Sequence, residues 1–248
     1  MSFRPILGLR FYVGRFAGLL DLAGEGGLIV VPSAPVMVNL SADAAQREAL
    51  IGSDFAITDS GFMVFLWLAL KGRRIPRISG LRFLRGLLAR PDFRAPGATL
   101  WIMPSAADSA ANRAWLQARG VAVSENDCYV APQYPAGRLE DRALLAMVET
   151  HRPKFVVVSV GGGVQERLGF YLRTHLSYRP AILCTGAAIA FLSGRQVAIP
   201  VWADRLILGW LLRSLANPAG FVPRLWKGLR LAPLLWKYGE NPPPAPIS

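Results

Sequence analysis

Apolar and polar residues alternate along this chain in blocks, with short apolar runs set between longer amphipathic stretches. Gly27–Val31 (GLIVV) reads as a strand stopped by Pro32. Phe55–Thr58 reads as a short strand entering an Asp59-Ser60-Gly61 turn, and Thr99–Met103, Val121–Ser124 and Pro180–Thr185 as three more. Phe155–Val160 gives the strongest signal. It is apolar everywhere but Ser159, as in a parallel strand covered on both faces. Between these runs the spacing predicts helices over residues 43–51 with Ser41 as cap, over Gly61–Lys71, and from a Ser105 cap to Arg119. Two more are predicted over Leu139–Thr150 and from Gln165 to Leu176. Strand and helix thus alternate through residues 1–201, which predicts an α/β fold with Rossmann-like layers around a mostly parallel sheet.

The pattern changes after residue 201. From Trp202 to Tyr238 the chain is rich in Trp, Leu and Arg and is broken by Pro218, Pro223 and Pro233. This predicts a basic, aromatic, helical C-terminal appendage over residues 202–238. The proline-rich end, residues 239–248, is expected to be disordered.

Composition narrows the class. Of 248 residues, 52% are hydrophobic and 18% charged, so coiled coil and extended disorder are excluded for the body of the chain. Cys128 and Cys184 make no disulfide framework or zinc pattern, and His151 and His175 are the only histidines. No metal site and no cofactor are expected. The longest apolar stretch, Phe62–Leu70, ends at Lys71 after nine residues, short of the roughly 20 a membrane span needs. Arg4, Arg10 and Arg15 interrupt any signal-peptide core. The expectation is a cytoplasmic protein that touches the inner face of the cell membrane without crossing it.

The net charge of +12 favours anionic partners. It is concentrated in two segments. Lys71, Arg73, Arg74, Arg77, Arg82, Arg85, Arg90 and Arg94 stand against Asp92 alone, and six basic residues between 205 and 248 stand against Glu240. One use of such charge is nucleic-acid or general anion binding by a non-catalytic α/β protein. However, the chain shows no helix-turn-helix or RNP pattern, and its bases are not interleaved with aromatic platforms. Nucleic acid is not an expected partner.

Three segments at predicted strand ends carry candidate chemistry, because ligands of open α/β sheets sit beyond the carboxyl ends of strands. Asn39 offers amide donors and an acceptor to a sugar or base, or simply turns the chain. Asp59 is placed as a general base, or as the cap of the next helix. Arg77, in Ile75-Pro76-Arg77-Ile78-Ser79-Gly80, offers a fork for a phosphate. The third segment, Gly161-Gly162-Gly163-Val164-Gln165-Glu166, is a glycine turn that lets backbone approach a ligand ahead of a helix N-terminus. It matches neither a dinucleotide fingerprint nor a Walker loop. Gln165 and Glu166 in the first helical turn can point into the cleft, and Glu166 alternatively complements the helix dipole.

In this order, Asn39, Asp59-Ser60-Gly61, Arg77 to Gly80 and the strand followed by Gly-x-x-x-Gln165-Glu166 resemble the WecG/TagA/CpsF glycosyltransferases. Gly186 to Gly194, Ile199-Pro200-Val201-Trp202 and Trp210-Leu211-Leu212-Arg213-Ser214-Leu215-Ala216-Asn217-Pro218 extend the likeness over roughly residues 25–230. The chain departs from the family pattern at Met37, Ser60, Gly163-Val164, Ala190, Ala198 and Gly209.

The resemblance implies an inverting, metal-independent transfer of a sugar from a UDP-sugar to a polyprenyl-diphosphate-linked saccharide, in cell-surface polysaccharide synthesis. A catalytically inactive, anion-binding relative is the alternative. On the active reading Asp59 is the base. Asn39, Arg77, Gly161, Gly162, Gln165, Glu166, Arg213 and Arg224 hold substrate. The appendage docks on an anionic membrane surface where the lipid-linked acceptor lies. The competing use of its tryptophans is an ordinary core or a contact between copies of the chain. No D-x-D metal motif occurs in the sequence.

Overall fold

In the computed structural model, residues 2–196, 223 and 226–246 are described. Strands β1 (Phe3–Ile6), β2 (Leu9–Tyr12), β3 (Gly27–Val30), β4 (Phe55–Ile57), β5 (Thr99–Met103), β6 (Cys128–Val130), β7 (Phe155–Val158) and β8 (Ala181–Cys184) form one sheet. Their order is β1-β2-β4-β3-β8-β7-β5-β6, and every neighbouring pair is parallel except the β1–β2 hairpin. The helices are α1 (Phe16–Ala23), α2 (Ala34–Val38), α3 (Ala44–Ile51), α4 (Gly61–Lys71), α5 (Gly80–Leu88), α6 (Pro91–Arg94), α7 (Ala106–Gln117), α8 (Arg142–His151), α9 (Val164–His175), α10 (Ala188–Leu192) and a C-terminal helix (Leu231–Tyr238).

Alternation along the central strands sends successive side chains to two cores, which is why β3, β5, β7 and β8 are buried throughout. On one face Leu28, Val30, Val156, Val158 and Ile182 pack against Leu50 of α3, Met63 and Trp67 of α4, Leu144 of α8 and Leu168 and Leu172 of α9. On the other face Ile29, Phe55, Ile57, Trp101, Val157 and Leu183 pack against Leu19 of α1, Phe83 and Leu87 of α5, Leu116 of α7 and Ile189 of α10. This is the expected doubly covered α/β sheet.

Several local expectations change. Helix α3 is capped by Asp43, whose carboxylate accepts the Gln46 amide at 2.9 Å, while the Ser41 hydroxyl turns back to the Val38 carbonyl. Ser60, rather than Asp59, caps α4. Residues 121–124 form no strand. The Val121 and Ala122 amides go to the Leu116 and Arg94 carbonyls, so Val121 and Val123 fill the core without entering the ladder. The edge strand beside β5 is instead Cys128–Val130.

The C-terminal helix does not stand apart from the α/β body. Leu231 and Leu235 are fully buried in the same core as Met63 and Trp67 of α4. The proline-rich end, expected to be disordered, runs along the β1–β2 turn. The Leu7 and Gly8 amides donate to the Gly239 and Glu240 carbonyls at 2.9 and 3.0 Å, Pro242 abuts Gly8, and Arg47 donates to the Pro243 carbonyl. No helix among the described residues is long and apolar enough to cross a membrane.

Candidate functional site

The segments singled out from sequence lie along the carboxyl edge of the sheet, after β3, β4, β7 and β8. At the end of β4 the chain is pinned twice. Thr58 Oγ1 donates to the Pro76 carbonyl at 2.6 Å and accepts the Ile78 amide at 3.2 Å. This fastens residues 76–80 against the strand end, although 18 to 21 residues of chain separate them from it. Asp59 then accepts the Gly80 amide through Oδ1 at 2.9 Å, and its carbonyl accepts Arg77 Nε at 3.0 Å. Among the described residues Asp59 Oδ2 has no hydrogen-bond partner. The structure therefore brings Asp59, Arg77 and the N-terminus of α5 together. A carboxylate held through one oxygen, with the other without a partner among the described residues, leaves an acceptor for a hydroxyl proton.

The second cluster is the glycine loop after β7. Gly162 lies against α2, where an added Cβ would come 3.1 Å from Val36 Cγ2, whereas among the described residues nothing lies within 4 Å of a Cβ at Gly161. Gly163 takes φ +94°, a backbone conformation open to glycine, and turns the chain into α9. The helix N-terminus was expected to supply free amides. Instead, Val164 and Gln165 donate back to the Gly161 carbonyl, and Gly163 donates to Glu166 Oε2. The Gly161 and Gly162 amides make no hydrogen bond among the described residues, and the Glu166 and Arg167 amides of the first helical turn find no backbone partner there either.

Glu166 is not placed to touch a ligand. It is fully buried, and its oxygens are occupied by Gly163, Gln46 and the neighbouring Gln165. Burial pushes its carboxyl above the usual range, while the hydrogen bonds from Gln165, Gly163 and Gln46 act the other way. Gln165 is also buried, against the Gly186 turn after β8, and its Oε1 has no partner. Asn39 ends α2 and is partly exposed. Its side chain caps nothing and makes no hydrogen bond among the described residues, so the turn role falls to its carbonyl. Arg213 and Arg224 lie outside the described residues.

The two clusters are separated by β3 and β8. Three strand spacings put Asp59 roughly 14 Å from the glycine loop, a distance that a nucleotide sugar lying along the edge can cover. Sequence reasoning gave no site role to Gln46, Ser159 and Thr185 in this neighbourhood, and took Gly80 only as the end of the Arg77 motif. Gln46 sits mid-pattern on α3, Ser159 was legible as the lone polar residue in an apolar strand, and Thr185 carries no signal until the strand order is known.

A family model described as Glycosyl transferase WecG/TagA/CpsF family matches residues 4–242. No curated protein sequence matches the chain. The matched span runs from the first strand into the proline-rich end and takes in both clusters, so the chain belongs to the WecG/TagA/CpsF family of glycosyltransferases.

Proposed function

We propose that this glycosyltransferase moves a sugar, with inversion and without a metal, from a UDP-sugar to a polyprenyl-diphosphate-linked saccharide during cell-surface polysaccharide synthesis. The observation that carries the reading is Asp59, anchored through Oδ1 at the carboxyl edge with Oδ2 open. An inverting displacement needs one base on the acceptor hydroxyl, on the face opposite the leaving group. Asp59 is that base.

The departing diphosphate needs positive potential aimed at it. The Gly161 and Gly162 amides and the Arg77 guanidinium provide it, with Gln165 and Asn39 lining the donor site. Arg213 and Arg224 add charge in the same role.

The acceptor is held in a membrane, so the chain docks there. Support comes from exposed apolar side chains beside bases. Trp226 and Trp236 are 68% and 70% exposed and Phe65 of α4 is 61% exposed, with Lys71, Arg73, Lys227 and Lys237 nearby in sequence. Tryptophan favours the interface, and each base near an anionic leaflet contributes about 1 kcal/mol. Docking on the inner face of the cell membrane follows from this reading.

The experiment is a UDP-sugar panel read by thermal shift, followed by transfer to a lipid-diphosphate saccharide analogue. Stabilisation by one UDP-sugar and formation of the extended lipid product are expected. If no uridine nucleotide stabilises the chain, the proposal fails.

A further inference from the structure

Glu166 occupies an uncommon place for a carboxylate, fully buried in the first turn of α9. Oε1 accepts Gln165 Nε2 at 2.9 Å, and Oε2 accepts the Gly163 amide at 2.6 Å and Gln46 Nε2 at 3.4 Å. All these partners are N–H donors, and a carboxylate offers acceptors only. The Gln165 amide must therefore turn its nitrogen toward Glu166, which directs its oxygen away. That oxygen is buried and unpartnered, 3.4 Å from where a Cβ on Gly186 would stand. Gln46 Oε1, 3.6 Å from where a Cβ on Gly163 would stand, is likewise buried and without a partner among the described residues, and so are Ser159 Oγ and Thr185 Oγ1 at the ends of β7 and β8. Ser159 and Thr185 directly follow Val158 and Cys184, the last registered pair of β7 and β8, so they occupy neighbouring positions on the edge. Buried polar atoms are normally paired, and these orphans around the glycine turn and the two strand ends mark a place completed by something else. The approach is over Gly161, beside which the space is open among the described residues.

We propose that Glu166 is a positioning residue that never touches the donor substrate but fixes the Gln165 side chain so that Oε1 accepts a hydroxyl of the donor's ribose or sugar, not a phosphate. This rests on the proposed UDP-sugar donor. It also divides the glycine turn chemically: the Gly161 and Gly162 amides serve the anion, and the Gln165 oxygen serves a neutral hydroxyl. Phosphate oxygens, having no proton to give, are poor partners for a fixed carbonyl.

The test is calorimetry of the full chain with inorganic pyrophosphate, UDP and the UDP-sugar panel, using Gln165→Ala, Glu166→Gln and the double variant. Each single variant is expected to weaken the hydroxyl-bearing ligand about tenfold, the loss of one hydrogen bond, with pyrophosphate unchanged. Because Glu166 acts through Gln165, the double variant should bind no more weakly than Gln165→Ala alone. A loss shared by UDP assigns the hydroxyl to the ribose, and a loss confined to the UDP-sugar assigns it to the sugar. Equal losses for pyrophosphate, or additive losses in the double variant, would overturn the proposal. Proton exchange of the Gln165 side-chain amide, followed by NMR in the wild-type chain, needs neither a donor nor a folded Glu166 variant. A protected amide is expected, and a freely exchanging one overturns the positioning. If pyrophosphate binds, no uridine ligand does and the amide stays protected, the donor assignment falls while the positioning is supported.

Discussion

At Asp59 the two oxygens of one carboxylate have different employment: Oδ1 holds the N-terminus of α5 through Gly80, and Oδ2 has no partner among the described residues. The neighbouring glycines divide in a similar way. Among the described residues nothing fills the place of a Gly161 side chain, while Gly162 has Val36 at 3.1 Å from a built Cβ, and neither needs a left-handed backbone. Gly161→Val is therefore expected to fold normally and to lose UDP affinity tenfold or more. Gly162→Val also pushes on α2 and should lose about 1–3 kcal/mol of stability. Chemical denaturation beside UDP titration of both variants checks this, and undiminished UDP affinity in folded Gly161→Val would remove the loop from the donor site. Glu166 shows why side-chain roles are harder to read than backbone ones. Its position in a first helical turn fits a dipole partner, a ligand contact or an internal anchor. Only Gln46, contributed by α3 from 120 residues away, makes it the last.

Among the elements, the strands buried on both faces were legible because no partner is needed to recognise β5 or β7: the run is apolar and short. Helix α4 was legible from its turn signal and apolar length. The β1–β2 hairpin was not, because its turn is Leu7-Gly8, with φ of 52° and 82°, rather than an Asn-Gly or Asp-Gly pair. Residues 121–124 misled because burial of Val121 and Val123 imitates a strand, while the competition for their amides is settled by α6 and α7. Of the site, the sequence marks which turns matter but not which side chains end up covered. The C-terminal helix is held by Leu231 and Leu235, so Leu235→Ala is expected to cost about 2–5 kcal/mol in denaturant unfolding. Asp92, at the start of α6, ties that helix to Arg90 and to Lys154 ahead of β7. The Arg90 guanidinium, with Lys154, holds its carboxyl well below the usual carboxylate range. A depressed folded pKa gives stability that is present above the unfolded value of about 3.9 and lost as pH falls through the folded one. Asp92→Asn should therefore be less stable than wild type at neutral pH, with the gap closing in melts taken below about pH 4. A gap that persists in acid would show that the carboxylate charge is not the cause.

On the scale of the whole molecule, one sheet edge gathers the glycine loop and Asp59, while the C-terminal helix packs Leu231 and Leu235 inward and leaves Trp236 outward, with Trp226 exposed ahead of it. Cutting the chain at residue 202 would strip core side chains, so point changes are the sound test of membrane docking. Trp226→Ser with Trp236→Ser should abolish sedimentation with anionic vesicles without changing the circular dichroism, and wild-type binding should weaken as salt rises. Equal sedimentation of variant and wild type would remove these tryptophans from docking. The proposed base, Asp59, lies three strands along the same edge from the glycine loop. The most direct measurement is therefore turnover and UDP affinity of Asp59→Asn with the best donor of the panel. Turnover reduced about 10²–10⁴-fold, the range for loss of a general base, is expected, with UDP affinity nearly unchanged. Wild-type turnover in a folded Asp59→Asn chain would contradict that assignment.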